Sequence, residues 1–374
     1  MDQYLGILSM IEPAILVSNH PTKSGQEVIE VTLNAPKLLN ALSSKMIEIL
    51  LVKLPVWDAD PGVSAIVVRG MGERAFCAGG DIQHLYQAMK KGEVEQGQAF
   101  FNLEYSLNLV MHSMQTPLLV WGHGYVMGGG MGLLQGASLR IATHSSRLAM
   151  PEISIGLFPD VGASFFLHKV PDELGLFLGL TGAIVNGTDA RELNLVDALL
   201  ADSDYLVVLE QLQNLPKQTK TEHLKSIREL IQGLESKDNN ALPSDIMPHK
   251  GLIINALVAE DLNTIFSNLQ GLKGLSKWLD KAITSMESGS PTSLHLTFCQ
   301  LRQAPQDIAQ ALEQEYVLAV NIILKGEFQE GIRALLIDKD QQPKWRYSEV
   351  KDVPQAWLES FYQSDNITKP DFGI

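Results

Sequence analysis

Two carboxylates interrupt an otherwise apolar stretch of the sequence. Glu152 and Asp160 lie eight residues apart within residues 149–170, where no cation appears before His168. A carboxylate at an apolar position costs free energy unless it is paired or used in chemistry, and its pKa tends to rise there. Such a pair is suited to general acid–base or nucleophilic chemistry. Structural roles fit equally well at this point, with Glu152 closing a turn and Asp160 capping a helix for about 1 kcal/mol each.

Two glycine-rich segments, residues 75–81 (Ala-Phe-Cys-Ala-Gly-Gly-Asp) and residues 122–132, each follow a predicted strand. Glycine at a strand end lets backbone N–H groups approach a ligand closely, although tight turns and close helix packing use glycine in the same way. Neither segment carries Gly-Lys-Ser/Thr or G-x-G-x-x-G in register, so the common phosphate-binding motifs do not fit. Amides at a helix start can also bind an oxyanion, and Gly129 is predicted to lie at such a start.

The elements that must position these residues are predicted from hydrophobic periodicity. Val- and Ile-rich runs predict strands at residues 27–34, 65–70, 118–124 and 139–143. An apolar stripe after Ser43 predicts a helix that Pro55 should end or kink, and residues 101–115 predict another helix. Strands and helices therefore alternate, which indicates an α/β fold.

The character of the chain changes after about residue 205. Glu, Lys, Gln and Leu at helical spacing dominate the remainder, which is interrupted by loop-like segments at residues 236–248 and 289–291. We therefore predict two regions: an α/β core at residues 1–205 that carries the site, and a mainly helical C-terminal region at residues 206–374.

Composition limits the class of ligand. The chain has 374 residues, of which 45% are hydrophobic and 19% are charged, and its net charge is −14. These values are typical of a globular protein with a sizeable core. The acidic balance argues against a general nucleic-acid or anionic-membrane binder, because both need a basic surface. The longest uncharged stretch, residues 116–139, contains seven glycines and His123, so a membrane span is not predicted.

Two cysteines, Cys77 and Cys299, cannot form a disulfide framework and lack metal-ligand spacing, so we predict a reducing compartment and no metal site. Residues 1–13 show neither a secretory signal nor an Arg-rich amphipathic presequence, from which we expect a cytoplasmic protein, with a processed organellar form as the alternative. Cys77 is more typical of a small apolar residue at a strand end than of a nucleophile. A lone histidine such as His123 is more often structural.

Four motifs together resemble the enoyl-CoA hydratase/isomerase (crotonase) superfamily. They are Ala-Phe-Cys-Ala-Gly-Gly-Asp at residues 75–81, Met-Gly-Gly-Gly at 127–130, Met-Pro-Glu at 150–152 and Phe-Pro-Asp-Val-Gly at 158–162. The resemblance starts near residue 34 and continues to the C-terminus. It implies a crotonase-like spiral of ββα units that carries an acyl-CoA site, followed by a helical C-terminal region. Coenzyme A would be part of the substrate, and no separate cofactor is implied.

Within the superfamily the sequence is most similar to the hydroxyisobutyryl-CoA hydrolases. The similarity rests partly on Ser-Pro-Thr-Ser-Leu at residues 290–294 and on residues 328–340, which Pro-Lys-Trp at 343–345 follows. A hydratase is usually shorter and lacks this extended tail. The resemblance therefore implies hydrolysis of the thioester of a short, branched 3-hydroxyacyl-CoA, above all 3-hydroxyisobutyryl-CoA, in valine catabolism.

The resemblance also assigns roles to single residues. The N–H groups of Gly80 and Gly129 match an oxyanion hole for the thioester oxygen, and Glu152 with Asp160 matches the catalytic pair of the hydrolases. Glu104 matches a position that the hydrolases place near the substrate, as a candidate partner of its hydroxyl group, although a solvated helix carboxylate is an equal alternative. The other positions assigned to substrate binding are Lys37 at the CoA phosphates, Ala41 and Ala78 at the adenine end, and Gly79, Asp81 and Gly128.

Gly132 distinguishes between chemistries. A hydratase carries a second glutamate three residues after the oxyanion glycine, and here that position is glycine, so water addition by two glutamates is not expected. Two alternatives to hydrolysis remain: a lyase or isomerase that uses Glu152 alone, and a non-catalytic acyl-CoA-binding module if Glu152 and Asp160 prove to be surface caps. Superfamily members commonly form trimers or hexamers through their C-terminal helices, whereas the longer tail here can instead fold back over its own core.

Overall fold

The computed structural model describes residues 13–235 and 241–364 together with positions 367, 370 and 372. Its strands are β1 (Ile15–Pro21), β2 (Glu27–Leu33), β3 (Val63–Gly70), β4 (Ala75–Cys77), β5 (Leu118–Gly122), β6 (Tyr125–Met127), β7 (Leu139–Thr143), β8 (Arg147–Ala149), β9 (Val185–Asn186) and β10 (Ala198–Leu200). They form a six-stranded sheet in the order β1-β2-β3-β5-β7-β10 and a four-stranded sheet in the order β4-β6-β8-β9.

Successive strand pairs build a spiral. The pairs β3 and β4, β5 and β6, and β7 and β8 are consecutive in the chain, and each pair contributes one strand to each sheet. Neighbouring strands within both sheets run parallel, except that β1 and β9 pair antiparallel at the edges. Parallel neighbours need crossover connections, which helices supply. The expected α/β spiral of ββα units is confirmed.

The six-stranded sheet is buried on both faces. Ile66 and Val68 of β3 belong to the main hydrophobic core, whereas Val67 belongs to a second cluster with Trp121 and Tyr205 on the opposite face. A strand buried on both faces reads as a continuous apolar run rather than as an alternation. This explains why the sequence pattern predicted β3 and β5. The predicted bounds differ slightly, because β3 starts two residues earlier than predicted and β5 ends two residues earlier.

The first half contains helices α1 (Ser44–Ala59), α2 (Ile82–Lys91), α3 (Val94–Ser113), α4 (Gly129–Gln135), α5 (Ala163–Phe166), α6 (Leu174–Thr181) and α7 (Gly187–Glu192). The Ser43 side chain caps α1 by accepting a hydrogen bond from Met46 N at 3.3 Å. Pro55 was expected to end or kink this helix, and it does not end it, since α1 continues to Ala59. Pro55 is exposed, and on an exposed face water can satisfy the carbonyl group that loses its N–H partner.

The second half is mainly helical, as predicted. Its helices are α8 (Tyr205–Gln213), α9 (Lys220–Glu235), α10 (Lys250–Leu257), α11 (Leu262–Gln270), α12 (Lys277–Ser288), α13 (Pro291–Arg302), α14 (Ile308–Lys325), α15 (Phe328–Ile332), a π-helix (Arg333–Ile337) and α16 (Gln355–Ser360). Short 3₁₀ turns lie at Pro36–Leu38, Glu152–Ile155, Pro171–Glu173, Asp202–Asp204, Met247–His249 and Val350–Asp352. Part of the predicted loop 236–248, residues 236–240, lies outside the described residues.

The C-terminal helices pack against the spiral of the same chain. Helix α14 contacts α3 and α5, and the main hydrophobic core contains residues from both halves, such as Leu107 and Leu318. The tail therefore folds back over its own core, which was one of the two expectations for it. The boundary at residue 205 between two regions stays a prediction. No helix among the described residues is both long enough and apolar enough to cross a membrane.

Candidate active site

Most of the residues that the sequence analysis singled out line one cavity of about 290 Å³. The predicted site residues that line it are Ala78, Gly79, Gly80, Glu104, Gly128, Gly129, Glu152 and Asp160. Its apolar walls come partly from α2 and α3, through Ile82, Phe100 and Phe101, and partly from the C-terminal region, through Phe328, Leu335 and Leu336. The cavity therefore places three carboxyl groups among apolar side chains and glycine backbone.

Gly80 and Gly129 bring two free backbone donors together. A Cβ atom built on Gly129 would lie only 3.5 Å from the Gly80 nitrogen. Gly129 is the first residue of α4, so its N–H has no acceptor within the helix. Among the described residues, neither N–H donates a hydrogen bond. Two adjacent free donors in a cavity of this kind can bind an anionic oxygen.

Glycine at positions 128 and 129 lets the carboxyl groups approach these amides. Gly128 has a φ of +50°, which favours glycine, and a Cβ atom there would lie 2.9 Å from Glu152 Oε1. A Cβ atom on Gly129 would overlap Glu104 Oε1. The glycine motif therefore serves both the free N–H groups and the space that the two glutamates occupy.

Glu104, Glu152 and Asp160 are each only 4% exposed, which is rare for carboxyl groups. Burial, together with the charge of Asp160, raises the pKa of Glu104 and of Glu152 well above the usual range. Within the described residues, Glu104 Oε1 and Glu152 Oε2 make no hydrogen bond. Buried polar atoms without partners are costly, so they are typical of groups that act on a substrate. Neither the surface-cap alternative nor the solvated-helix alternative for Glu104 holds, since all three groups are buried.

Asp160 lies at the start of a strained turn. The Tyr105 hydroxyl donates a hydrogen bond of 2.8 Å to Asp160 Oδ2. The next two residues, Val161 and Gly162, have φ values of +53° and +88°, and this conformation costs a residue with a Cβ atom about 1–2 kcal/mol. Burial raises the pKa of Asp160 to about 7, against the opposing effect of the Tyr105 hydrogen bond. Asp160 can therefore hold or release a proton near neutral pH.

The Asp160→Asn variant is expected to be more stable than the parent chain at pH 8 and to lose that advantage at pH 4. Because the pKa of Asp160 is raised from 3.8 to about 7 on folding, the folded chain binds a proton that the unfolded chain releases. Its stability contribution is fully present below the unfolded pKa and is lost as the pH rises through 7. The two pKa values set an upper limit of about 4 kcal/mol. Urea unfolding of both proteins from pH 4 to 8 measures the effect, and parallel pH curves would contradict the raised pKa.

Three predicted substrate-binding residues do not line the cavity. Lys37 is exposed in a 3₁₀ turn. Ala41 lies in the segment next to that of Ala78, because backbone hydrogen bonds of 2.8 and 3.1 Å join the two segments. Asp81 is the N-cap of α2, and its side chain makes no capping hydrogen bond. The backbone segments assigned to coenzyme A are therefore neighbours beside the cavity, whereas Lys37 and Asp81 stand outside its lining.

Cys77 and His123 have structural surroundings. Burial raises the pKa of the Cys77 thiol to about 12, so the nucleophilic thiolate is suppressed. The ring of His123 is buried and hydrogen-bonds to the Gly72 carbonyl oxygen over 2.8 Å. Both observations agree with the structural roles expected for these residues. In the part of the chain that the structure describes, no group of three or more His, Cys, Asp or Glu residues is arranged to hold a metal ion.

The sequence analysis missed two polar residues and the C-terminal wall of the cavity. Tyr105 binds Asp160, and the fully buried Glu315 of α14 accepts hydrogen bonds from the turn after Asp160. Glu315 lies on the buried face of α14 among Ala311, Leu312, Leu318, Ala319 and Ile322. A carboxylate in an apolar stripe is the same signal that singled out Glu152, so it was available in the sequence.

Comparison with known proteins identifies a family and several named relatives. Residues 28–362 match the family model described as enoyl-CoA hydratase/isomerase. The rat protein named 3-hydroxyisobutyryl-CoA hydrolase, mitochondrial, is 36% identical over 366 residues, which cover 95% of this chain and 93% of the rat protein. The human protein of the same name is 37% identical over 337 residues, which cover 89% of this chain and 86% of the human protein.

Two solved structures resemble the fold over nearly the whole chain. An enoyl-CoA hydratase from Rhodobacter sphaeroides 2.4.1 is 30% identical with a TM-score of 0.78, over 92% of this chain and 96% of that one. A carnitinyl-CoA dehydratase from Mycobacterium thermoresistibile is 26% identical with a TM-score of 0.83, over 97% of this chain and 99% of that one. The family match, the relatives and the shared architecture agree, and the chain belongs to the enoyl-CoA hydratase/isomerase family.

Proposed function

We propose that the chain hydrolyses the thioester bond of 3-hydroxyisobutyryl-CoA to 3-hydroxyisobutyrate and coenzyme A. The observation that carries the proposal is the convergence of Glu152 and Asp160 beside the free N–H groups of Gly80 and Gly129 in one cavity. The names of the rat and human relatives support this substrate and this reaction. A short, branched acyl group also suits a cavity of about 290 Å³ with apolar walls.

Gly80 and Gly129 form the oxyanion hole of this proposal. Attack on a thioester carbonyl builds negative charge on its oxygen, and fixed N–H donors stabilise that charge because they need no reorganisation during the reaction. One such donor is worth about 3 kcal/mol in comparable sites. Since the two N–H groups are adjacent and free, one oxygen atom can accept from both.

Glu152 supplies the base or the nucleophile. Its raised pKa makes the ionised form a stronger base than an exposed glutamate. In one route Glu152 takes a proton from a water molecule that attacks the carbonyl carbon, and the thiolate of coenzyme A leaves. In the other, Glu152 attacks the carbon and expels the thiolate of coenzyme A to form an anhydride, which water then cleaves to release the acid and regenerate Glu152. A single turnover in ¹⁸O-labelled water separates the routes, because only the anhydride route can place an oxygen of Glu152 in the product.

Asp160 and Glu104 complete the site. Asp160, held by Tyr105, orients Glu152 or the water and can protonate the leaving thiolate, because its pKa lies at about 7. Glu104 Oε1 lies next to Gly129 and Gly80 and makes no hydrogen bond within the described residues. The 3-hydroxyl group of the substrate is close to the thioester carbonyl, so we assign Glu104 as its hydrogen-bond partner.

A lyase or isomerase that uses Glu152 alone is the second candidate, because the solved relatives are named as a hydratase and a dehydratase. Position 132 argues against the form of water addition that needs two glutamates. A Cβ atom on Gly132 would lie 2.7 Å from Val161 Cβ and 2.7 Å from Asn108 Nδ2. A second glutamate at this position, as in hydratases, does not fit the space. The third candidate, a non-catalytic binding module, loses its premise because Glu152 and Asp160 are buried.

Release of free thiol from 3-hydroxyisobutyryl-CoA tests the proposal. We expect the purified chain to release one thiol per acyl-CoA consumed and to leave the double bond of a branched enoyl-CoA intact. A thiol reagent follows the first reaction, and ultraviolet absorbance of the conjugated thioester follows the second. Loss of the double bond without thiol release would favour the hydratase, and binding without either reaction would favour the module.

Further assignments are proposals of the same kind. A role in valine catabolism follows from the proposed substrate. Hydrolysis of this thioester needs no separate cofactor, because coenzyme A is part of the substrate. Both described cysteines are free, which supports a reducing compartment. We propose the cytoplasm, although the rat and human relatives are named as mitochondrial. Assembly into trimers or hexamers through the C-terminal helices stays a prediction.

A further inference from the structure

A fourth buried carboxylate, Glu315, lies behind the candidate active site and has no part in the proposed chemistry. It is 0% exposed on α14. Its Oε2 accepts a hydrogen bond of 2.7 Å from Gly162 N, and its Oε1 accepts bonds of 3.0 and 2.6 Å from Ser164 N and Oγ. One side chain therefore satisfies two backbone groups and a hydroxyl of a single turn.

The turn that Glu315 binds is the one that starts at Asp160. Val161 and Gly162 both have positive φ values, and a valine in this conformation persists only where surrounding contacts hold it. The bonds to Gly162 and Ser164 come directly after the strained residue. These hydrogen bonds therefore fix the path of the backbone that follows Asp160.

Tyr316, the residue that follows Glu315, contacts the other support of Asp160, the side chain of Tyr105. The ring of Tyr316 packs edge-to-face against Tyr105, with ring centroids 6.5 Å apart and planes at 77°. Tyr105 in turn donates its hydrogen bond to Asp160. Two consecutive residues of α14 thus contact both supports of Asp160, the turn that follows it and the tyrosine that binds it.

We propose that Glu315 is a positioning residue, which fixes the turn after Asp160 so that the Asp160 carboxyl group faces Glu152. The inference rests on the proposed function and extends it to a buried residue outside the lining of the cavity. A purely structural carboxylate would change the stability of the fold and leave turnover per folded molecule unchanged. A positioning carboxylate changes kcat.

Asp189 provides a matched control. It is also 0% exposed, and its Oδ1 accepts hydrogen bonds from Ser244 Oγ at 2.6 Å, Asp245 N at 3.0 Å and Ile246 N at 3.2 Å. Its Oδ2 also accepts a hydrogen bond of 3.3 Å from Asn186 N. The partners of Asp189 are therefore of the same kind as those of Glu315, backbone N–H groups and one serine hydroxyl. None of these residues lines the cavity.

The experiment compares Glu315→Gln with Asp189→Asn in the full chain. Glutamine has the shape of glutamate, but its NH₂ group cannot accept a hydrogen bond, so one N–H of the turn loses its partner. We expect Glu315→Gln to lower kcat roughly 10- to 100-fold with KM within about threefold, because small displacements of a catalytic group cost this much. Asp189→Asn is expected to leave kcat unchanged, whatever its effect on the Tm. Equal kcat values for parent and Glu315→Gln, or equal losses in both variants, would overturn the proposal.

A second variant and a structure keep the test decisive. Ser164→Ala removes only the hydrogen bond from the serine hydroxyl to Glu315 and is expected to lower kcat several-fold. If Glu315→Gln does not fold, an unchanged kcat in Ser164→Ala overturns the proposal.

If the parent chain releases no thiol, the proposed function fails by itself. A crystal structure of the Glu315→Gln or Ser164→Ala variant then tests the positioning role, since an unchanged turn with the 2.8 Å Tyr105–Asp160 bond intact refutes it.

Discussion

Replacing Glu152 with glutamine is expected to lower kcat for thioester hydrolysis by roughly a thousandfold, within the range for loss of a general base. Glutamine keeps the size of the side chain and removes the group that accepts the proton or attacks the carbon. The affinity for free coenzyme A should stay within about twofold, because the adenine and phosphate contacts are assigned elsewhere in the site. Initial rates of thiol release measure kcat, and calorimetric titration with coenzyme A measures the affinity.

The control for this prediction is the stability of the variant. Glu152 is buried with a raised pKa, so its neutral amide analogue should fold at least as stably as the parent at pH 8. A loss of activity accompanied by a higher Tm therefore identifies a functional group rather than a structural one. Turnover within tenfold of the parent chain would remove Glu152 from the chemistry.

Replacing Gly129 with alanine is expected to lower kcat/KM roughly 100- to 1,000-fold, the range seen when an oxyanion donor is lost. The added Cβ atom would stand 3.5 Å from the Gly80 nitrogen and would overlap Glu104 Oε1. It therefore occupies the space in which the thioester oxygen must meet the two N–H groups. Steady-state kinetics with 3-hydroxyisobutyryl-CoA measure the loss.

Gly251→Ala is the matched control for Gly129→Ala. Gly251 lies in α10, and a Cβ atom there has no neighbour within 4 Å. This variant should keep the activity of the parent and gain up to about 1 kcal/mol of stability, because alanine favours a helix over glycine. Alanine keeps the N–H of residue 129, so a Gly129→Ala variant that retains parental kcat/KM would show that the reacting oxygen does not bind in the space that the Cβ atom fills.

How much of the site was predictable depends on how local each signal is. The glycines at 80 and 129 follow strands, and their roles require backbone conformations that neighbouring residues largely determine. The carboxylates at 152 and 160 were visible because they interrupt an apolar run. Burial in the folded chain then removed the surface-cap alternative, which residue types alone had left open. Their catalytic roles stay predictions until the variants are measured.

The contacts of Glu315 mark the limit of the sequence analysis. Its hydrogen bond to Gly162 joins residues 153 positions apart, and no local pattern around either residue indicates that pairing. The same holds for the cavity wall formed by Leu335 and Leu336 of the C-terminal π-helix. Such contacts depend on how the C-terminal helices pack on the spiral, and packing is set by the whole core.

The sequence by itself determined the α/β class, the helical second half, the glycine-rich segments and the two carboxylates, because strand periodicity, helix periodicity and glycine placement are properties of short segments. The spiral of ββα units was implied by the resemblance to the crotonase superfamily. The tertiary structure decided which of these residues meet. It brought Glu104, Glu152 and Asp160 into one cavity, placed Val161 against Gly132 and set Glu315 behind the turn. The reason is physical: the pKa, burial and orientation of a carboxyl group are set by atoms distant in sequence that only the folded chain brings within a few ångströms.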